Sequence, residues 1–378
     1  MTGVNRNVSR RQALTSTVTA GLVTAVAGCF ESTEDRATEL LGVHPDELTD
    51  IRFTQWPGAL REAAAVAYVE PVEALAGITV NLFDHPVEVD SLSDLIHADE
   101  HTFDFLSHWN YTVPRGVDMG VYQPIRTENV PNLDRVIEQF DPSSVGYDPG
   151  DDVHHVPYSI GGNVIVYNTE QIEEPTSWNR LLEEDLAGEL WMPRTTSMIM
   201  GMLSRQAGLE LATVEGNEAA IWDLIDQYNE IVDHWWTDPS ALDTALADGR
   251  VTAAGYWSGR AYALQQAGHP IDFTVPEEGT NAWVDVLSIP TGVTDPARRT
   301  AEAIMNFAMR EDAIIDFASE IGYAVAYDVD DETIPEGHIY NDHPTWEFIE
   351  TGQLEVWDAA SLRRHESQWN LELSDRID

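Results

Sequence analysis

Val156-Pro157-Tyr158-Ser159-Ile160-Gly161-Gly162 and, much later in the chain, Gly279-Thr280-Asn281-Ala282-Trp283 decide the reading of this sequence. Each sets glycine close to aromatic residues between strand-like runs. Two such crossings mean that the chain builds part of one lobe, leaves it, and later returns. Each lobe is then assembled from discontinuous chain, as in a hinged molecule of two lobes. The expected division is 50–157 plus 285–330 for the first lobe and 158–284 plus 331–378 for the second.

On both sides of the crossings, strand-like and helix-like segments alternate. Ile51–Trp56, Ile78–Phe83, Phe103–Leu106, Val164–Tyr167, Ala253–Tyr256 and Val284–Ile289 read as strands. Ala59–Ala76, Ser91–Ala98, Thr213–Val232, Asp243–Asp248, Arg260–Gln266 and Pro296–Arg310 read as helices, the last with Asp295 as a candidate N-cap. This alternation predicts an α/β architecture of mostly parallel, buried sheets flanked by helices. There is no internal repeat and no low-complexity block.

The chain carries 66 acidic residues against 20 basic ones, and every basic residue is arginine. At its formal net charge of −46, self-repulsion destabilises a compact state in dilute buffer. At molar salt the Debye length falls to ~3 Å and the repulsion is largely screened. Acid excess without lysine is the habit of extreme halophiles such as haloarchaea, so the charge describes the solvent more than the ligand. It also argues against nucleic acid as a partner, because phosphate contacts need a basic surface. Hydrophobic residues make up 43% of the chain, enough for substantial cores rather than disorder.

The N-terminus has its own logic. Arg10-Arg11 precede an uncharged run that ends in Val26-Ala27-Gly28-Cys29, and Cys29 is the only cysteine. A charged start, an apolar stretch and a small-residue cleavage site make an export signal. Ser9–Leu14 resembles a twin-arginine signal. Val26–Cys29 resembles a lipobox, in which the cysteine is lipidated. Residues 1–28 are therefore expected to be a signal, and 29–49 an acidic tether from a lipid anchor on the extracellular face of the membrane. A lone cysteine excludes internal disulfides and cysteine-rich metal sites. The alternative is an ordinary N-terminal helix with a buried cysteine.

Over nearly all of residues 50–370 the chain resembles the solute-binding proteins of ABC transporters, in particular the spermidine/putrescine-binding family. The resemblance is carried by Ile51–Trp56, by Phe103–Leu106 with Asn110-Tyr111, and by Val156-Pro157-Tyr158 leading into Gly162–Asn168. It continues through Thr176–Leu182, Gly188–Leu190, Tyr256–Gly259, Gln266–Asp272, Pro276–Gly279, Trp283-Val284-Asp285 and Ile321-Gly322-Tyr323. It implies a type II periplasmic-binding fold with two crossing strands at the hinge. It further implies a monomer without cofactor or bound metal, which closes on a small ligand and presents it to an ABC permease and its ATPase.

An organic cation in water is bound by aromatic faces, each worth ~0.5–2 kcal/mol of cation–π attraction, and by carboxylates that accept charge-assisted hydrogen bonds. Trp283 and Asp285 stand two apart on a strand and so share a face. The resemblance makes them a stacking ring and an ammonium acceptor. Trp257, Trp56, Tyr111 and Tyr323 match further cleft aromatics, and Trp109 is a weaker candidate. For each, burial in a core is the competing reading.

The sequence also departs from the family. Polyamine binders carry acids in the segment that here reads Pro193-Arg194-Thr195-Thr196-Ser197-Met198, which has none. Its hydroxyls can cap the following helix, or Thr195 and Arg194 can face an anionic group of the ligand. Pro57-Gly58-Ala59 stands where a tyrosine is expected. The expected ligand is thus a polyamine-like cation, with a zwitterionic or anionic solute as the alternative. His154-His155 reads as a solvated loop, Asp328–Glu332 as acidic surface, and Trp235-Trp236 as packing of the second lobe. The Asn110-Tyr111-Thr112 sequon falls near the cleft, which argues against its use. An extracellular hydrolase finds no support, since nucleophile-elbow, zinc-protease and phosphate-loop motifs are all missing.

Overall fold

The computed structural model describes residues 33–84, 103–142, 152–327, 329, 351, 353–356 and 359–377. The expected signal, Cys29, the helix expected at Ser91–Ala98 and most of Asp328–Glu332 lie outside the described residues.

Among the described residues, eleven strands form one connected sheet. They are β1 Ile51–Gln55, β2 Val80–Asp84, β3 Phe105–Trp109, β4 Val156–Asn168, β5 Leu190–Pro193, β6 His234–Trp236, β7 Ala253–Trp257, β8 Ile271–Thr274, β9 Thr280–Ser288, β10 Ala324–Val325 and β11 Leu354–Val356. The main order is β2-β1-β3-β9-β4-β7-β5-β6, with β8 and β10 joined to β4 and β11 to β9. The flanking helices are α1 Thr33–Leu41, α2 Ala59–Ala64, α3 Glu70–Ala76, α4 Val113–Asp118, α5 Thr196–Gln206, α6 Ala219–Tyr228, α7 Pro239–Ala247, α8 Ser258–Gln266, α9 Asp295–Ala308, α10 Glu311–Ile321 and α11 Ala359–Arg376.

The two segments that open the sequence reading are the strands β4 and β9, and they pair antiparallel with each other. All thirteen residues of β4 are buried. Its first part pairs with β9 as far as Gly162↔Ala282, and its second part pairs with β7 from Asn163↔Trp257 onward. Parallel pairing holds wherever neither crossing strand takes part, in β1–β2, β1–β3, β5–β6 and β5–β7. The antiparallel pairings all involve β4 or β9, which makes the sheet mixed.

Burial follows the same hand-over. Phe53, Phe105, Tyr158, Ile160, Val284 and Phe317 belong to one hydrophobic core. Val164, Val166, Trp178, Met192, Tyr256 and Phe273 belong to another. The change falls between Ile160 and Val164 along β4. Among the last residues, Leu354 joins the first core, whereas Trp369 and Leu373 join the second.

Several local expectations are corrected. The acidic tether gives way from Thr33 onward to α1, because Ala37 and Leu41 find an apolar partner surface and are buried in the first core. Glu47 then pairs with Arg299 on α9, and the Thr49 N–H donates to Thr300. The helix at Ala59–Ala76 exists but is interrupted by a π-helical turn at Ala65–Val69. That turn belongs to the stretch that buries Tyr68, whose hydroxyl accepts a hydrogen bond from Gln55. Thr294, not Asp295, occupies the N-cap of α9, and Asp295 instead pairs with Arg126. His154 and His155 are buried rather than solvated, at 6% and 1% exposure, beneath the end of β9, where Ser288 donates to the His154 carbonyl.

Candidate functional site

Strands β1 and β3 run parallel, so the residues at their C-terminal ends emerge on one edge of the sheet. Trp56 follows β1 and Trp109 ends β3, and their rings stack with centroids 4.6 Å apart. Trp109 stacks in turn on Tyr111 at 5.4 Å. Tyr111 sits on a 3-10 turn, Asn110–Thr112, held to β9 by a hydrogen bond from the Val284 N–H to Asn110 Oδ1. Asn110 is buried, which agrees with an unused sequon.

Asp285 lies beside this stack. The register pairs it with Trp109 on one side and Ser159 on the other. Its carboxylate is almost fully buried, at 1% exposure. Oδ1 accepts from the Trp56 indole N–H at 3.0 Å, and Oδ2 from the Ser159 hydroxyl at 2.7 Å. Burial pushes its pKa up to about 7, against the opposing pull of hydrogen bonding from Ser159, Trp283 and Trp56. No arginine among the described residues pairs with it.

Trp283 occupies the same face of β9 two residues earlier. Its ring lies over Gly161 of β4, where a Cβ would come within 2.1 Å of it. Only glycine fits there. Trp257, at the end of β7, meets Trp283 edge-on at 6.5 Å, and Tyr323 meets it from another side at 5.8 Å. Tyr323 also fills the space over Gly259, where a Cβ would lie 2.4 Å from its ring. Burial, with Asp285 as a neighbouring negative charge, pushes the Tyr323 hydroxyl up.

The structure thus links Trp56, Trp109, Tyr111, Trp257, Trp283, Tyr323 and Asp285 in one unbroken set of contacts drawn from both cores. Arg194 and Thr195 follow β5, whose parallel pairing with β7 brings its C-terminal end to the edge where Trp257 stands. Arg194 stands half-buried after β5, at the same sheet edge as Trp257, and its N–H donates to the carbonyl of Trp236, whose ring packs edge-on against Trp257. Thr195 is exposed at the N-cap of α5 and its side chain makes no capping bond. Thr196 bonds Asn370 of α11 instead.

Three features escaped sequence reasoning. Ser159 is the second donor to Asp285. Gln55 accepts from the Trp56 N–H at 2.8 Å and from the Tyr158 hydroxyl at 3.0 Å, and so holds the backbone of Trp56 from below. Arg260, in the first turn of α8, pairs with Asp243 at 2.6 Å. Beside Arg260 lies a cleft of about 280 Å³, walled by Pro57–Leu60, Ile321 and Tyr323 on one side and by Asp243, Gly259, Arg260, Ala263 and Leu264 on the other. Among the described residues there is no cluster of three or more His, Cys, Asp or Glu able to hold a metal. No described helix is long and apolar enough to cross a membrane.

Comparison with known proteins adds the following. The sequence model of the family described as bacterial extracellular solute-binding protein matches residues 67–329. The spermidine/putrescine-binding periplasmic protein of Escherichia coli (strain K12) is 25% identical over 292 residues, covering 76% of this chain and 80% of that protein. The spermidine/putrescine ABC transporter substrate-binding protein PotD of Streptococcus pneumoniae superposes with a TM-score of 0.72 at 18% identity, covering 88% of this chain and 100% of that one. The binding protein AgtB of A. tumefaciens R10, solved with agropinic acid, superposes with a TM-score of 0.71 at 17% identity, covering 87% and 98%. These likenesses place the fold among the periplasmic binding proteins of type II.

Proposed function

This chain belongs to the bacterial extracellular solute-binding proteins, and we propose that the solute it captures is a small organic cation of the polyamine kind. The family is one of transport proteins rather than enzymes. Its members are the substrate-binding components of ABC transporters, with a small-molecule ligand and with permease and ATPase partners.

One observation carries the proposal. The Asp285 carboxylate is buried among Trp56, Trp283 and Ser159 and has no cationic partner among the described residues. A charge in a dry site without a countercharge is costly, and a ligand ammonium against the carboxylate removes that cost. The indole faces of Trp56, Trp257 and Trp283 supply cation–π attraction and cover for an alkyl chain. The curated relatives named for spermidine and putrescine point the same way.

Capture proceeds by hinge closure. The lobes are 50–157 plus 285–330 and 158–284 plus 331–378; the two hydrophobic cores joined through β4 and β9 support a division into two, with the change of core a few residues later, between Ile160 and Val164, and with Leu354 in the first core. Closure brings Trp56 and Tyr111 of one lobe toward Trp257 of the other, with Trp283 and Asp285 at the hinge, and the closed surface is what the permease reads. The protein works as a monomer. It leaves the cell by the twin-arginine route, is lipidated at Cys29, and faces a solvent of molar salt.

A second reading is a zwitterionic or anionic solute. The lack of any carboxylate in 193–198, where Arg194 stands instead, favours it. A thermal-shift screen in multimolar KCl against putrescine, spermidine, thiamine, glycine betaine, aminoethylphosphonate and simple anions separates the two. A ligand at 100 times its Kd adds ~2.7 kcal/mol of stability. Stabilisation by the amines supports the cation, and stabilisation by anions alone refutes it.

A further inference from the structure

The cleft beside Arg260 holds a second charge whose donors are only partly used. Arg260 gives Nη1 to Asp243 Oδ2 at 2.6 Å, and Asp243 Oδ1 is in turn held by the Tyr256 hydroxyl at 2.6 Å. Among the described residues, Nε and Nη2 of Arg260 have no hydrogen-bond partner. The guanidinium therefore keeps one side of its fork, the side that matches a carboxylate in two-point geometry.

The same chain shows what an arginine so placed does. Arg126 gives Nη1 to Asp295 at 2.7 Å while Nε and Nη2 lie 2.8–3.0 Å from the Glu302 carboxylate. One guanidinium thus serves two carboxylates, and Arg260 has the first of these partners in Asp243.

The cleft is also joined to the aromatic site. Tyr323 lines the cleft and packs edge-on against Trp283 at 5.8 Å. Its hydroxyl feels both Asp285 and Arg260 as charges of opposite effect. On the far wall stand Pro57, Gly58 and Ala59, residues too small to fill the space. A Cβ added at Gly58 would touch nothing within 4 Å.

We infer that the solute carries an anionic group at its far end, a carboxylate or its equivalent, and that the cleft lined by Arg260, Gly58, Ala59 and Tyr323 receives it. The inference rests on the reading of Asp285 as the ammonium site. It turns the preferred solute from a diamine into an amphoteric chain, with its cation at Asp285 and its anion at Arg260.

Calorimetric titration of the purified protein in multimolar KCl tests it. The probes are α,ω-diamines and ω-amino acids with matched chains of three to six methylenes. The expected result is that at least one ω-amino acid binds more tightly than its matched diamine. Arg260→Gln should then lower that affinity about 10- to 100-fold, as for loss of charge-assisted hydrogen bonds, and raise the diamine's. Arg260→Lys, which keeps the charge and loses the fork, should fall between. An unchanged thermal midpoint in either variant shows that the fold is intact. Diamine binding that falls in Asp285→Asn and is unmoved in Arg260→Gln overturns this inference and leaves the ammonium site standing. Binding of an ω-amino acid that is lost in Arg260→Gln but unmoved in Asp285→Asn supports the anion cleft and removes the ammonium site. Failure of every ω-amino acid to bind overturns the inference.

Discussion

The indole N–H of Trp56 reaches Asp285 Oδ1 at 3.0 Å, and so ties the end of β1 to the crossing strand β9, 229 residues further along the chain. The contact gives Trp56 two functions, a stacking face and a hydrogen-bond donor to the buried carboxylate. Trp56→Phe keeps the first and deletes the second. Affinity for an ammonium solute is expected to fall about tenfold, the worth of one hydrogen bond to a charged group. Titration calorimetry on the variant measures this, and an unchanged affinity removes the donor from the account.

The pKa of Asp285 sets the pH dependence. Its folded value, about 7, lies above the ordinary 3.8, so the folded protein binds a proton that the unfolded chain releases. The group favours folding at low pH, and that contribution is lost as pH rises from 3.8 through about 7. An ammonium solute needs the ionised carboxylate. Affinity should therefore drop toward tenfold per unit as pH falls below about 7 and level off above it. The neighbouring hydroxyls of Tyr158 and Tyr323 stay protonated in this range, because burial pushes both up. Affinity measured between about pH 5 and 8 checks this, and a flat profile contradicts it.

Gly161 exists to admit Trp283. Gly161→Ala drives a Cβ to within 2.1 Å of the ring and should cost about 1–3 kcal/mol, as overpacking does. Removing the ring first, in Trp283→Ala, should make the glycine replacement nearly harmless, since residues in contact are not additive. Denaturant unfolding of the two single variants and the double variant gives the coupling, and additive costs would show that the ring does not rest on Gly161.

Leu41 separates a packed helix from a loose tether. It is fully buried in the first core, so Leu41→Ala should cost about 2–5 kcal/mol. A thermal midpoint equal to the parent's would return residues 33–41 to the tether.

Much of the site was legible because its chemistry lies at the ends of strands. Trp56, Trp109 and Trp257 follow or end strand-like runs, and the spacing of Trp283 and Asp285 gives a shared face without knowledge of the partner strand. Ser159 lies within a crossing segment, but its role depends on the register of β4 against β9, which shifts between Pro157 and Ser159. A long-range register with an irregularity leaves no local trace. The burial of His154 and His155 depends likewise on where β9 ends, and α1 on an apolar surface built by distant helices. Arg260 reads as an ordinary exposed helical arginine until α7 supplies Asp243. Arg194 and Thr195 have residue types suited to an anion, and Arg194 stands at the strand edge that carries Trp257.

The most direct test compares the parent protein with Asp285→Asn, titrating in multimolar KCl the best-bound ammonium compound of the screen. The replacement keeps the shape, accepts from Trp56 or Ser159, and removes the charge that the ammonium answers. Affinity is expected to fall about 10- to 100-fold while the thermal midpoint without ligand stays the same or rises. An affinity within about twofold of the parent's, well under the tenfold that 1.4 kcal/mol represents, would contradict the assignment of Asp285 as the cation site.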